Sequence, residues 1–275
     1  MNIERRSARL TPFPVPGLRD EWLPAVFGRF DEVARAAAEP FRDEPHWARQ
    51  AKAGFFLALV ERFDTGLYHE IQAAHLAAEA IGKDGNRLKY LDTPTWAGGK
   101  FDHALRLGLH RSAPLRILDL GAGPGHFQMV AEYFGHETLG LDIPFGPGAT
   151  PPAAPGPRRH VYDDLCDFFG VRKTDHRIGA RIALPALSGR FDLITSFMTC
   201  FSTHAKGGGP WTVGDWTFLL ADLRDNVLAE GGQIYLNLTP GVYDDRSWAF
   251  LKSVGGEVIE KSRTLSIARS AIGAL

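Results

Sequence analysis

A glycine-rich segment gives the clearest chemical signal in the sequence. An apolar run at 115–120 contains Asp119, and the pattern Gly-x-Gly-x-Gly follows over residues 121–125, ahead of a helix-like stretch that starts at Phe127. Glycine has no Cβ atom, so it permits positive φ and lets the backbone pass close to a ligand. The pattern therefore predicts a nucleotide-like ligand at a strand-to-helix turn.

The glycines alone do not identify the ligand. Dinucleotide oxidoreductases use a similar turn to bind pyrophosphate. In this sequence, however, His126 stands where the dinucleotide fingerprint has its third glycine. A second acid, Asp142, ends the next apolar run at 138–142.

Asp119-Leu-Gly-Ala-Gly-Pro-Gly125 resembles motif I of class I S-adenosylmethionine-dependent methyltransferases. Two later segments, Arg190–Phe197 and Leu228–Asn237, are similar to the fourth-strand and fifth-strand segments of that family. The resemblance extends over roughly residues 100–270. It implies that the glycine turn contacts the methionine part of S-adenosylmethionine and that Asp119 lies near the amino group.

The resemblance also implies that Asp142 binds the ribose hydroxyls, because a carboxylate can accept from two hydroxyls at once. The third-strand acid that often precedes the adenine contacts is not evident in Ile178–Pro185, so Gly179–Arg181 are the best candidates for that role. Arg181 can equally be a solvated surface residue. The implied cofactor-binding residues are Asp119, Gly121, Ala122, Gly123, Gly125, His126, Phe127, Asp142, Ile143, Ala180, Arg181, Ser196 and Phe197.

Methyl transfer from a sulfonium needs mainly alignment of the reactants, sometimes with removal of a proton. His204, beyond the fourth strand, is the candidate catalytic base, and the alternative is an exposed loop histidine. His126 is favoured as a helix-start residue near the cofactor over a second base.

Trp211 and Met198 are the candidate substrate-binding residues, with packing against the following helix as the alternative for the tryptophan. The acidic stretch at 163–167 is favoured as the first turn of a helix over a metal site, so no metal is expected.

The composition restricts the partners. Lysine and arginine number 31 against 32 acidic residues, which gives a formal net charge of -1 and does not favour nucleic acid. We find neither a secretory signal nor an apolar run of the ~20 residues that a membrane-spanning helix needs. The two cysteines, Cys166 and Cys200, fit a reduced cytoplasmic protein. Nothing in the sequence indicates the oligomeric state.

Short apolar runs alternate with stretches that can hold helices, as in a parallel sheet with crossover connections. The predicted strands are 115–120, 138–142, 176–182, 191–197 and 233–238, with two antiparallel strands within 256–268. The predicted helices include several within 21–81, broken near Pro40, Pro45 and 64–66, and single helices at 100–110 and 244–254. A segment rich in proline and glycine, 144–157, follows the second strand as a loop that either flanks the active site or is a plain surface insertion.

These elements predict an α/β fold with a doubly wound, seven-stranded, mostly parallel sheet of the class I methyltransferase type. We divide the chain into an N-terminal arm and helical cap, 1–99, and a cofactor-binding domain, 100–275. The expected activity is transfer of a methyl group from S-adenosylmethionine to a small-molecule acceptor, with oxygen or nitrogen favoured. An NAD(P)-dependent oxidoreductase and a catalytically silent S-adenosylmethionine-binding scaffold are the alternatives.

Overall fold

The computed structural model describes residues 46–79, 85–143, 160–199, 201, 209–239, 243–255, 258–259 and 263–273. The predicted helix breaks near Pro40 and Pro45, the proline-rich segment 144–157 and His204 lie outside these ranges.

The helices of the described part flank a central sheet. The α-helices are α1 (His46–Arg62), α2 (Thr65–Glu79), α3 (Thr93–Arg106), α4 (His126–Tyr133), α5 (Val161–Phe169), α6 (Val213–Asp222), α7 (Asp245–Val254) and α8 (Arg269–Ile272). Two 3-10 helices, Gly85–Leu91 and Leu109–Arg111, flank α3, and a π-helical turn, Leu223–Val227, follows α6.

The strands form one seven-stranded sheet in the order β3-β2-β1-β4-β5-β7-β6. They are β1 (Arg116–Leu120), β2 (Glu137–Asp142), β3 (Lys173–Asp175), β4 (Phe191–Phe197), β5 (Leu228–Asn237), β6 (Val258–Ile259) and β7 (Thr264–Ala268). Strands β1 to β5 run parallel to one another, whereas β7 runs antiparallel to β5 and to β6. The predicted seven-stranded, mostly parallel α/β sheet is therefore confirmed.

Three predicted boundaries are wrong. The fifth strand begins at Leu228 and not at 233, because it continues through Gly231 and Gly232. The third strand lies at Lys173–Asp175 and not at 176–182, because the later stretch contains Gly179 and a positive φ of 56° at Arg181. The helix before β1 begins at Thr93 and not near residue 100, because Asp92 accepts a hydrogen bond from the Thr95 backbone N–H at 3.2 Å and so caps its first turn.

The sheet separates two hydrophobic clusters. On one face, residues of α1 to α5 pack against Ile117 and Leu193, and we call this group the first cluster. On the other face, α6, α7 and α8 pack against Leu118 and Ile194, and we call this group the second cluster. Successive residues of β1 and β4 thus enter opposite clusters, as expected for strands buried on both faces.

Helices α1 and α2 belong to the first cluster. Phe55 of α1 is fully buried, with its ring centroid 5.1 Å from that of Phe101 in α3. Phe63, just after α1, packs on Phe169 of α5 with ring centroids 5.6 Å apart. The described part of the predicted cap is therefore part of the same core as β1.

Candidate functional site

The glycine turn joins β1 to α4 at the carboxyl edge of the sheet. Gly121, Gly123 and Gly125 have φ values of 70°, 56° and 81°, in the left-handed region that favours glycine. The backbone N–H groups of Gly121 and Ala122 donate to the Leu141 carbonyl oxygen at 2.7 and 3.1 Å. The end of β2 therefore holds the start of the turn in place.

Space around the turn also requires glycine. A Cβ atom at Gly121 would overlap the side chain of Thr199, and one at Gly125 would overlap Val171 Cγ2. Close packing therefore requires glycine at both positions, in addition to the positive φ. The sequence pattern revealed the glycines but not the neighbours that exclude a larger residue.

Two hydroxyl groups fix the turn from the side of β4. Ser196 Oγ and Thr199 Oγ1 lie 3.0 and 2.9 Å from the Leu120 carbonyl oxygen, and 2.9 Å from each other. We call these two residues the hydroxyl clamp. The sequence predicts Ser196 as a cofactor-binding residue, and that role stays a prediction; in the structure its hydroxyl supports the turn. Thr199 was not identified from the sequence.

Met198 lies between the two clamp residues in a strained backbone conformation. Its φ is 55° although it has a side chain, and that side chain is 50% exposed. Its backbone N–H donates to the Asn237 carbonyl oxygen at 2.7 Å, which holds this conformation. Strain of this kind costs roughly 1–3 kcal/mol and is concentrated at functional sites.

The Asp142 carboxylate contacts the turn directly. Its Oδ2 atom accepts from the Gly123 backbone N–H at 2.5 Å, and Oδ1 accepts from the Ile143 backbone N–H at 2.7 Å. Burial raises the pKa of Asp142, although both backbone hydrogen bonds act in the opposite direction. Each carboxylate oxygen has a second lone pair, so hydroxyl groups of a ligand can still be accepted.

Asp119 is a buried acid beneath the turn. Its side chain is 3% exposed, and Thr195 Oγ1 donates to Oδ1 at 2.7 Å. Burial raises the pKa of Asp119 to about 7, whereas the nearby Lys100 ammonium and the Thr195 hydrogen bond lower it. An additional cationic partner would stabilise the ionised carboxylate.

Lys100 was not identified by the sequence motifs. It lies on α3, partly buried, with its Nζ atom 3.8 Å from the ring centroid of Phe197 at the end of β4. Burial lowers the pKa of Lys100 to about 8, while Asp119 acts to raise it. The chain places Lys100 in the helix before β1, so only the packing of α3 on the sheet brings it to the site.

His126 is a buried, neutral residue at the start of α4. Its Nε2 atom lies 3.2 Å from Thr93 Oγ1, which in turn lies 2.6 Å from the hydroxyl oxygen of Tyr68. Burial first, and then the Lys100 charge, lower the pKa of His126 to about 3. These contacts connect α2, α3 and α4 next to the glycine turn.

Several of the predicted site residues are core residues. Phe127 and Phe197 pack on each other in the first cluster, with ring centroids 4.6 Å apart. Trp211 is fully buried in the second cluster, where it packs on Phe201 and Trp216. Among the residues that the structure describes, the Trp211 indole nitrogen has no hydrogen-bond partner.

Ala180 and Arg181 follow β3, away from the hydrogen bonds of the turn. Ala180 packs against the second cluster. Arg181 Nε lies 3.1 Å from Asp215 Oδ1, in the first turn of α6. Arg181 is thus tied to α6, and its predicted adenine contact stays a prediction.

The residues of the predicted acidic first turn also have partners. Lys173 Nζ lies 2.5 Å from Asp163 Oδ1, and His75 Nε2 lies 2.8 Å from Asp164 Oδ2. Across the described ranges, no group of three or more His, Cys, Asp or Glu side chains is arranged to hold a metal ion. No helix in these ranges has both the length and the apolar character to cross a membrane.

Neither a protein-family model nor a curated protein matches the sequence. Solved structures that resemble the chain include CalS10, an amino pentose methyltransferase from Micromonospora echinaspora with bound S-adenosylmethionine, at 24% identity and a TM-score of 0.36, covering 55% of this chain and 54% of that one. DesVI of Streptomyces venezuelae matches at 15% identity and a TM-score of 0.37, with the same coverage of 55% and 54%. The glycopeptide N-methyltransferase MtfA matches at 18% identity and a TM-score of 0.32, covering 51% and 52%. The chain thus spans about half the length of these structures.

Proposed function

We propose that this chain is an S-adenosylmethionine-dependent methyltransferase that acts on a small-molecule acceptor. The observation that carries the proposal is the contact between the Asp142 carboxylate and the Gly123 backbone N–H at 2.5 Å. It brings the acid at the end of β2 onto the glycine turn after β1, at the carboxyl edge where ligands bind in open α/β sheets.

The residues present fit the cofactor. A Cβ atom at Gly123 would have only Tyr162 Cε2 nearby, at 3.9 Å, so this part of the turn is open, and Asp142 offers acceptors for ribose hydroxyls. The buried Asp119 offers a negative charge for the amino group. When bound, S-adenosylmethionine would supply a methyl group already activated by its sulfonium.

The contribution of the protein is then positioning. The hydroxyl clamp holds the Leu120 carbonyl at 2.9 to 3.0 Å, so the turn keeps one conformation while the reactants are aligned. Met198, half-exposed at the end of β4, is the residue we propose to contact the acceptor. Trp211 stays a proposed substrate contact that needs its buried ring to become accessible. A cytoplasmic location and the division at residue 99 also stay predictions.

Calorimetric titration tests the cofactor assignment. We expect the wild-type protein to bind S-adenosylhomocysteine and not NAD. Asp142→Ala should weaken S-adenosylhomocysteine binding roughly 10- to 100-fold, because it removes a charged acceptor. Asp245→Ala, which removes an exposed acid on α7, is the matched control and should bind as the wild type does.

Binding of NAD in place of S-adenosylhomocysteine would identify an oxidoreductase and sink the proposal. Unchanged affinity in a folded Asp142→Ala protein would remove Asp142 from the ribose role. Tight S-adenosylhomocysteine binding without methyl incorporation into any acceptor would favour the alternative of a catalytically silent S-adenosylmethionine-binding scaffold.

We also propose that His204, in the segment after β4, accepts a proton from the acceptor. His204→Ala should lower the turnover rate roughly 100-fold or more with little change in cofactor affinity. His69→Ala, an exposed histidine on α2, is the control. The measurement is transfer of a labelled methyl group to an acceptor found by screening small alcohols and amines; wild-type turnover of His204→Ala would leave alignment as the whole mechanism.

A further inference from the structure

Two opposite charges lie at the carboxyl edge of the sheet without forming a direct ion pair. The Lys100 side chain extends from α3 to the ring of Phe197, and Asp119 lies beneath the glycine turn. Within the described ranges, Lys100 Nζ has no carboxylate oxygen within 4.0 Å, whereas Lys52 pairs with Asp102 and Lys173 pairs with Asp163. The ammonium and carboxylate of the Lys100–Asp119 pair are therefore close enough to influence each other but too far apart to touch.

The Lys100 ammonium lies 3.8 Å from the Phe197 ring centroid, which is 4.6 Å from the ring centroid of Phe127 in α4 and 5.0 Å from that of His103 in α3. Its charge stabilises the ionised form of Asp119 at the end of β1 and lowers the pKa of His126 at the start of α4. One turn further along α3, burial lowers the pKa of His103 to about 4, and the Lys100 charge acts in the same direction. The ammonium therefore lies among the residues that flank the glycine turn.

The charges are incompletely compensated. Burial costs free energy for each ion unless a partner or hydrogen bonds replace the lost water. Consistent with that cost, burial raises the pKa of Asp119 to about 7 and lowers that of Lys100 to about 8. A ligand that carries one charge of each sign would satisfy both residues at once.

Neighbouring polar groups are already engaged. His103 Nδ1 lies 2.8 Å from the hydroxyl oxygen of Tyr235, and Lys52 of α1 pairs with Asp102 at 2.7 Å. Arg106, at the end of α3, lines a different cavity with Gln233 and Thr264. Lys100 is thus the α3 cation that is placed to meet a ligand on the turn.

We infer that Lys100 binds the carboxylate of the amino acid head group of the cofactor while Asp119 binds its ammonium. The inference rests on the proposed function, because S-adenosylmethionine carries such a zwitterionic group. The two side chains act as a pair that fixes the direction of the head group, since reversing it would bring like charges together. The rest of the cofactor is then oriented along the carboxyl edge towards Asp142.

Three ligands that differ only around the head group give a sharp test. S-adenosylhomocysteine carries both charges, its decarboxylated form lacks only the carboxylate, and 5′-methylthioadenosine lacks the whole head group. Lys100→Met should weaken binding of S-adenosylhomocysteine roughly 10- to 100-fold and leave the other two affinities within about twofold. Lys100→Arg should retain most of the S-adenosylhomocysteine affinity.

Lys252→Met is the matched control, because Lys252 also lies near an aromatic ring, 5.7 Å from that of Trp248, but on α7. It should bind all three ligands as the wild type does. An equal loss for all three ligands in folded Lys100→Met would make Lys100 a residue that only supports the turn, and no loss for S-adenosylhomocysteine would overturn the inference. A wild-type protein that binds none of the three would instead refute the proposed function.

Discussion

At the scale of single residues, burial decides which groups are charged. His126 is buried against Tyr90 and Phe169, and its pKa falls to about 3 from the 6.5 of a free histidine. The unfolded chain therefore binds a proton at this position that the folded chain excludes. The contribution of the neutral His126 to the free energy of unfolding is therefore complete above pH 6.5 and is lost as the pH falls towards 3.

This linkage predicts the pH dependence of unfolding. Between pH 7 and pH 5, the wild type should lose roughly 1–2 kcal/mol more of its free energy of unfolding than His126→Gln, in which the titrating group is absent. Urea unfolding at several pH values measures this difference.

Asp119 provides an opposing contribution, because its raised pKa of about 7 gives stability that is lost as the pH rises from about 4. It is present in both proteins, so the difference between their curves isolates His126. Parallel curves for the two proteins would contradict the assignment of a neutral, buried imidazole.

Sequence analysis found the site residues that lie at the carboxyl end of a strand. Asp119 and Asp142 each stand at the carboxyl end of an apolar run, so their position on the sheet edge could be inferred from local pattern. Lys100 and Thr199 could not be found in this way. Their roles depend on which helix covers β1 and on how the chain bends after β4, and neither is encoded in local spacing.

At the scale of elements, the hydrogen bonds from Ser196 and Thr199 to the Leu120 carbonyl oxygen hold the glycine turn against the end of β4. Gly121→Ala should lower the free energy of unfolding by roughly 2–4 kcal/mol, because it adds the strain of a φ of 70° to an overlap with Thr199. Gly135→Ala has a comparable φ of 88° but no atom within 4 Å of the new Cβ. It should therefore cost only about 1 kcal/mol.

A double-mutant cycle separates the two causes. Thr199→Ala removes the hydroxyl that contacts the Leu120 carbonyl and should cost about 1 kcal/mol alone. Combined with Gly121→Ala, it should cost clearly less than the sum of the single changes, because part of the overlap disappears. Additive costs, measured by chemical denaturation, would show that overlap with Thr199 is not what destabilises Gly121→Ala.

Element boundaries show what local patterns miss. The strand β4 was predicted at its observed bounds because apolar residues begin and end it, at Phe191 and Phe197, with Leu193 and Ile194 between them. β3 was misplaced because its sequence, Lys173-Thr-Asp175, contains no apolar residue and is defined by pairing with β2. The start of α3 was misplaced because the cap at Asp92 was hidden in a stretch rich in turn formers.

At the scale of the whole molecule, one sheet with two packed faces accounts for the fold. Alternation of apolar runs and helix-like stretches is enough to predict such a sheet, because parallel strands need crossover helices on both faces. The packing of α1 and α2 into the first cluster could not be predicted. It depends on long-range ring contacts such as Phe63 with Phe169, 5.6 Å apart between centroids.

The two outer strands have a consequence for behaviour in concentrated solution. Within the described ranges, β3, at one edge, has three residues, and β6, at the other, has two. An exposed edge offers unpaired N–H and C=O groups with which another chain can form intermolecular β-structure, and short or charged edges reduce that hazard. Asp175, the last residue of β3, has a 62% exposed side chain and places a carboxylate at this edge. The same brevity that hid β3 in the sequence therefore protects the sheet from edge-to-edge aggregation.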